Sequence, residues 1–250
     1  MNVLGVVLAR AGSKGLSNKH LLKLQDRPVI SYTLDHARAA CRLTRVAVSS
    51  DCPIVRRFGT ANDFAAIERP GHLATDDASV QDVLLHAVDV MRMEQGFHAD
   101  AIVTLYGNVP IRPAGCIDRA INLLAESGCD SVRSFVAVGK WHPAWMSRLR
   151  GDVVDAVVPG SVHRRQDLEP LFLHDGAVVA VTRASLERGR GNPADPHAFF
   201  GIDRRGFTVE PGDTVEIDSR RDLFIADAVL REAAERGEQE RETARLRRAS

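Results

Sequence analysis

The sequence has little of what marks a secreted, membrane-bound or nucleic-acid-binding chain. Its four cysteines, Cys41, Cys52, Cys116 and Cys129, form no C-x-x-C pair and have no histidine at zinc-finger spacing. That points to reduced thiols in a cytosolic fold rather than to a disulfide framework or a metal site. Charge of one sign is not in excess, since Lys plus Arg and Asp plus Glu both number 33. There is thus no general pull toward nucleic acid or an anionic membrane, and any basic site must be local. No apolar run approaches a membrane span and no cationic segment precedes the first one, so neither insertion nor secretion is expected and the cytoplasm is the expected location. No internal repeat is visible.

What is present is alternation. Apolar, β-rich runs recur at Val3–Ala9, Arg45–Ser49, Phe64–Glu68, Ala101–Leu105, Ser131–Val138 and Ala177–Thr182, mostly separated by stretches of helical spacing. Strands alternating with helices imply an α/β fold with a mainly parallel sheet between helices. Pro28 is well placed as the first helical residue of one helix, and 78–94 carries apolar residues at three-to-four spacing in another. The rhythm breaks between Gly139 and Leu173, a stretch rich in Trp, His, Pro and Arg that reads as an insertion of short strands or loops. The residues therefore divide into a main domain at 1–230, carrying an insertion at about 139–173, and a charged tail at 231–250. The tail, dense in Glu and Arg, reads as a solvated helix end that frays.

The most informative segment is LARAGSKGLSNKHL, residues 8–21, directly after the first strand. It places Gly12, Gly15 and the cations Arg10, Lys14 and Lys19 in a loop at the strand's end. Such a loop holds a polyphosphate: glycines let backbone N–H groups approach, here those of Ala9, Ala11, Gly12, Ser13 and Gly15, and the cations neutralise the charge. The spacing is neither Walker A nor the G-x-G-x-x-G dinucleotide pattern, so neither a P-loop ATPase nor a dehydrogenase is indicated.

Arg10, Ser13, Lys14, Gly15 and Lys19 match the signature Arg-x-x-Ser-Lys-Gly-x-x-x-Lys-Asn. The loop thereby resembles that of the acylneuraminate cytidylyltransferases, which make CMP-activated sialic-type acids; His20 stands where that family has Asn. Further segments resemble the family in order along nearly the whole chain. Ser49-Ser50-Asp51 is similar to its Ser-Thr-Asp, which adds Asp51 to the nucleotide candidates. RPGHLATDDASV is similar to the segment that lies beside the nucleoside, where Ser79 reads equally as a base contact or as a helix N-cap. In LYGNVPIRP, Pro110 and Arg112 match but Tyr106, Gly107, Asn108 and Val109 do not, and these departures fall where the family meets its acceptor sugar.

Within the insertion, His142-Pro143 and the run from Arg164 to Leu168 resemble the family's projecting dimerisation arm, which lends residues to a partner's sugar site. Trp145 stands where the family often has Lys. Arg164 and Arg165 can hold a substrate carboxylate in bidentate fashion, or form a solvated basic turn. TVEIDSRRDL resembles the family's Ser-x-Asp-Ile-Asp-x-x-x-Asp-Leu. Carboxylates two apart on a strand project from one edge, so Glu216 and Asp218 are candidate Mg²⁺ ligands; Asp218 reads alternatively as a helix cap.

The resemblance implies a Rossmann-like nucleotide-diphospho-sugar transferase fold and a CTP-dependent cytidylyl transfer to an acidic sugar, with release of pyrophosphate. Arg10, Lys14 and Lys19 would hold the triphosphate. Tyr106, Asn108, Trp145, Arg164 and Arg165 would face the acceptor, and Glu216 and Asp218 would hold Mg²⁺. The implied partners are CTP, an acidic small molecule and a second copy of the chain. Two alternatives stay open: guanylyl transfer to a sugar 1-phosphate, and a catalytically degenerate nucleotide-binding subunit.

Overall fold

A computed structural model of the chain describes residues 1–12, 15–160, 164–190 and 195–249, with side chains up to residue 239. β1 (Val3–Leu8) leads through the short pair β2 (Lys23–Leu24) and β3 (Arg27–Pro28) to α1 (Val29–Ala39), β4 (Arg45–Ser50), α2 (Pro53–Ala61) and β5 (Ala65–Glu68). Then come α3 (Val80–Gln95), β6 (Ala101–Tyr106), α4 (Cys116–Ser127) and β7 (Ser131–Ala137). A hairpin of β8 (Ser147–Arg150) and β9 (Val153–Ala156) precedes β10 (Phe172–Thr182), α5 (Arg183–Arg188), β11 (Arg204–Val209) and α6 (Arg220–Ala249).

The described residues form a seven-stranded sheet in the order β11-β7-β10-β6-β1-β4-β5. Its members run parallel except β10, which is antiparallel to both neighbours. Both faces are covered. Val3 and Val7 of β1 face a core shared with α1, α2 and α4, while Leu4, Val6 and Leu8 face one shared with α3 and α5. Burial on both faces is why β1 is an unbroken apolar run rather than an alternating one.

The chain runs from β1 to β4 on one side, whereas β6 pairs with β1 on the other. This reversal of strand order opens a crevice at the carboxyl edge of the sheet, where open α/β folds bind ligands. The loops after β1, β4, β5 and β6 all leave that edge. Backbone bonds tie them together: Gly107 N–H donates to Leu8 O at 2.9 Å, Ala9 N–H to Ser49 O at 3.2 Å and Arg69 N–H to Ser50 O at 3.1 Å.

Several expectations are adjusted. Pro28 ends β3 and caps α1 from outside instead of being its first helical residue. The strand expected at Ala177–Thr182 starts earlier, at Phe172, and β11 joins the sheet edge though no expected run covered it. The insertion itself is short 3₁₀ turns, at Gly139–Trp141, Pro143–Trp145 and Arg165–Asp167, around the β8–β9 hairpin. Over the tail α6 continues to Ala249, in keeping with Ala, Glu and Arg as strong helix formers and with pairs such as Arg231–Asp227 at 2.8 Å on its surface. Leu223, Ala226, Val229 and Leu230 seat its first turns on Leu24, Val29 and Ile217. Among the described residues no helix is long and apolar enough to cross a membrane.

Candidate active site

At the carboxyl edge the loops enclose a cleft of about 210 Å³ lined by Leu8, Arg10, Lys19, His20, Arg69, Asp76, Tyr106, Asn108 and Glu216, among others. Three cations, supplied by the loops after β1 and β5, stand on one side. Arg10 Nη2 is 2.5 Å from Asp76 Oδ1, and Lys19 Nζ is 2.7 Å from Asp218 Oδ1. Arg69 is buried beneath them and donates to Ser49, from Nε to Oγ at 3.2 Å and from Nη2 to the carbonyl at 2.7 Å. Burial pulls its pKa down to about 10, with Arg10 adding to the fall and Asp51 opposing it, so the guanidinium stays charged at neutral pH. Asp51 accepts from Ala11 N–H at 2.8 Å and so fixes the start of the loop.

The acidic pair faces these cations. Asn108, just after β6, donates from Nδ2 to Glu216 Oε1 at 3.0 Å, to the Ile217 carbonyl at 3.1 Å and to Asp218 Oδ1 at 3.3 Å. Its own carbonyl accepts from Ile217 N–H at 2.7 Å. Side chain and backbone together clamp residues 216–218 against the end of β6, with both carboxylates gathered around one nitrogen. A Cβ on Gly15 would lie 3.0 Å from the Asp218 carbonyl, so the first loop packs against the acidic segment where glycine alone leaves room.

Arg112 makes the floor. It is buried and donates to Ala177 O at 2.8 Å, Tyr106 O at 2.7 Å, Val109 O at 2.5 Å and Thr33 Oγ1 at 3.0 Å, knitting the turn after β6 to β10 and α1. His20 is buried against Gly107 at the start of the same turn, with Nδ1 lacking a hydrogen-bond partner among the described residues. Burial first, and the Lys19 charge second, lower its pKa to about 4, so the ring is neutral. A Cβ on Gly107 would come 2.7 Å from Ile30 Cδ1 and 3.1 Å from that Nδ1. The imidazole fits because residue 107 has no side chain.

The sequence-derived candidates separate. Arg10, Lys19, Tyr106, Asn108 and Glu216 line the cleft, and Asp218 adjoins it through Lys19 and Asn108. Ser13 and Lys14 lie outside the described residues. Ser79, of its two readings, is the N-cap of α3: its hydroxyl accepts from Asp82 N–H at 3.0 Å and pairs with Asp82 Oδ2 at 2.7 Å. Asn108, expected at the acceptor, lines the cleft and donates its amide to the acidic segment. Trp145, Arg164 and Arg165 do not reach the cleft of their own chain; Arg165 lies beside Gly139 at the base of the arm. Arg69, His20 and Asp76 were not among the candidates. A charged residue directly after an apolar strand, as Arg69 is, was the available signal.

No group of three or more His, Cys, Asp or Glu side chains forms a metal site among the described residues. Two carboxylates are nevertheless what Mg²⁺ takes from a protein when substrate phosphates supply further oxygens, and the pair held by Asn108 fits that requirement.

Residues 4–158 match the family model described as cytidylyltransferase. The chain belongs to the cytidylyltransferase family. This family member is 27% identical over 228 residues to an N-acylneuraminate cytidylyltransferase of Streptococcus agalactiae, covering 90% of this chain and 52% of that one. It thus spans about half the length of that relative. It is 22% identical over 236 residues to the post-translational flagellin modification protein B of Campylobacter coli, covering 92% and 95% of the two chains. Among solved structures, a CMP:2-keto-3-deoxy-manno-octonic acid synthetase complexed with CTP superposes with a TM-score of 0.71 at 20% identity, over 93% of this chain and all of that one. The fold is therefore that of a nucleotidyltransferase α/β sheet.

Proposed function

We propose that the protein transfers CMP from CTP to a carboxylate-bearing sugar or related acid and releases pyrophosphate. The observation that carries this reading is the cleft itself, where Arg10, Lys19 and Arg69 face the Glu216 and Asp218 carboxylates at the carboxyl edge of the sheet. The relatives named for acylneuraminate and 3-deoxy-manno-octulosonate transfer support CTP as donor and an acidic sugar as acceptor. In this reading the acceptor oxygen attacks the α-phosphorus in line, and the bond to the leaving pyrophosphate breaks. Arg10 and Lys19, with Lys14 of the same loop, neutralise the outer phosphates. Glu216 and Asp218 would hold Mg²⁺, which supplies charge neutralisation and phosphate orientation when bound. Asn108 keeps the two carboxylates together, and Arg69 anchors the rim.

Tyr106 offers the acceptor a phenol and a flat apolar face, and its pKa is raised by burial and by the nearby Glu216 charge, so it remains a neutral donor. Arg164, Arg165 and Trp145 lie on the arm, out of reach of their own cleft, and in this reading serve the acceptor site of a second copy in a cytoplasmic homodimer. The pocket then departs from one made for N-acetylneuraminate, which should be a poor substrate. The test is pyrophosphate release with CTP across a panel of nonulosonic, 3-deoxy-ulosonic and simpler acidic acceptors, with GTP and sugar 1-phosphates as a parallel arm. Turnover confined to CTP and a carboxylate acceptor is expected. Turnover with GTP alone, or none with any pair despite CTP binding, would overturn the assignment.

A further inference from the structure

The two cations of this loop that lie among the described residues are already held by carboxylates of the same chain. Lys19 sits on Asp218 and Arg10 on Asp76, in contacts of 2.7 and 2.5 Å. The two pairs are not equivalent. Asp218 belongs to the acidic pair that Asn108 gathers, so a cation held there would take the carboxylate and free Lys19 for phosphate. Asp76 belongs to the loop after β5, outside that pair, and lies on Arg10. Both partners are about one-third exposed, at 30% and 34%, and a pair so placed adds little to folding.

We propose that Asp76 is a specificity-determining residue, which makes the loop after β1 reject phosphates that arrive without a neutralising cation and promotes the departure of pyrophosphate. The inference rests on the reading that this loop holds the triphosphate. A guanidinium has donors to spare, so Arg10 can keep Asp76 and still receive a phosphate oxygen. The carboxylate then stands across one guanidinium from the phosphate, and like charges at that range repel. A cation-bound triphosphate brings less net charge and feels less of this. Pyrophosphate stripped of its cation feels all of it. Arg10 alone would hold both ligands; Arg10 with Asp76 distinguishes them.

The test measures inorganic pyrophosphate binding by calorimetry, in EDTA at low salt, to the full-length wild type, Asp76→Asn, Asp76→Glu, Arg10→Ala and the Arg10→Ala/Asp76→Asn double variant. Asp76→Asn should bind pyrophosphate ~3- to 10-fold more tightly than wild type. Asp76→Glu should stay near wild type, and the gain should vanish in the Arg10→Ala background. The inhibition constant of pyrophosphate as product should fall in the same ratio. Equal affinities of wild type and Asp76→Asn, with Arg10→Ala still weakening binding, would overturn the role of Asp76 alone. No effect of Arg10→Ala would overturn the phosphate reading beneath it.

Discussion

In the cleft, charged side chains are held by groups from distant parts of the chain: Arg10 by Asp76, Lys19 by Asp218, Arg69 by Ser49, and Arg112 by four acceptors from three elements. In the arm between Gly139 and Leu171 the pattern is reversed. Among the described residues its hairpin strands pair with each other alone, and Trp141, Leu149, Val153 and Val154 are each more than half exposed. A sheet buried on both faces can fix side chains in place, because each is confined by close packing and by the cost of an unpaired buried polar group. A two-stranded hairpin cannot do so alone. The contrast teaches that the cleft is fixed by contacts within one chain, while the arm leaves its apolar surface uncovered by its own chain.

The comparison breaks most forcefully at Arg112. If the rigidity of the cleft comes from its floor, Arg112→Leu removes the hydrogen bonds donated to Ala177, Tyr106, Val109 and Thr33, at roughly 1 kcal/mol each, and should cost about 3–5 kcal/mol of folding free energy. Arg112→Lys should not recover most of it, since an ammonium cannot reach divergent carbonyls in the geometry of a guanidinium. Urea denaturation measures both. A loss below about 1 kcal/mol would mean that the floor is held by packing alone.

The arm should respond in the opposite way. Leu149→Asp with Val154→Asp places charge on its exposed apolar face, so stability should change by less than about 1 kcal/mol while the mass in solution falls from dimer to monomer. Light scattering at micromolar concentration, with and without the substitutions, decides. A monomeric wild type would remove the partner from the acceptor site, and Arg164 and Arg165 with it.

This same contrast governs how much was legible in the sequence. The strands of the sheet other than β11, and α1 and α3, were readable because apolar periodicity reports burial, which is local to each element; β11 is mostly exposed and carries no such pattern. The loop after β1 was readable because glycines and cations cluster within a few residues, and the acidic pair because Glu216 and Asp218 are two apart on one segment. What pairs with what was not. Asp76 meets Arg10 across 66 positions and Asn108 meets Glu216 across 108, and no local pattern encodes such contacts. The antiparallel direction of β10 was hidden because a strand buried on both faces has the same composition either way. Asn108 and Ser79 show the same limit: each is a polar residue beside the cleft, and the hydrogen bonds it makes to the protein cannot be read from its neighbours in sequence.

A smaller effect tests the cleft floor by pH. His20 and His36 both have pKa values lowered to about 4, chiefly by burial, with the Lys19 and Arg112 charges respectively adding to it. The folded state therefore keeps them neutral, while the unfolded chain protonates them below about 6.5. Stability should be level above pH 6.5 and fall as the pH drops from 6.5 toward 4, by up to about 1.4 kcal/mol per pH unit for each group. His20→Asn should flatten its share of that slope between pH 6.5 and 5, where carboxylates contribute least. Denaturation midpoints at pH 7.5, 6 and 5 give the answer. An unchanged slope in the variant would mean that the ring is solvated and does not belong to the floor.

The finest distinction concerns Ser79, which sits at the rim yet belongs to the scaffold. Its hydroxyl accepts from Asp82 N–H and meets the Asp82 carboxylate, satisfying the first turn of α3. Ser79→Ala should therefore cost about 1 kcal/mol of stability, the ordinary value of an N-cap, and leave the KM for CTP unaltered. Ser79→Thr, whose hydroxyl can accept from Asp82 N–H and donate to the Asp82 carboxylate in the same way, should restore the stability. It should leave CTP binding alone as well, because a hydroxyl turned onto the first turn of α3 does not face the nucleotide. If Ser79→Ala instead raises the KM for CTP tenfold with no loss of stability, the hydroxyl reaches the base, and the boundary between scaffold and cleft lies one residue further from the sheet than the hydrogen bonds of α3 place it.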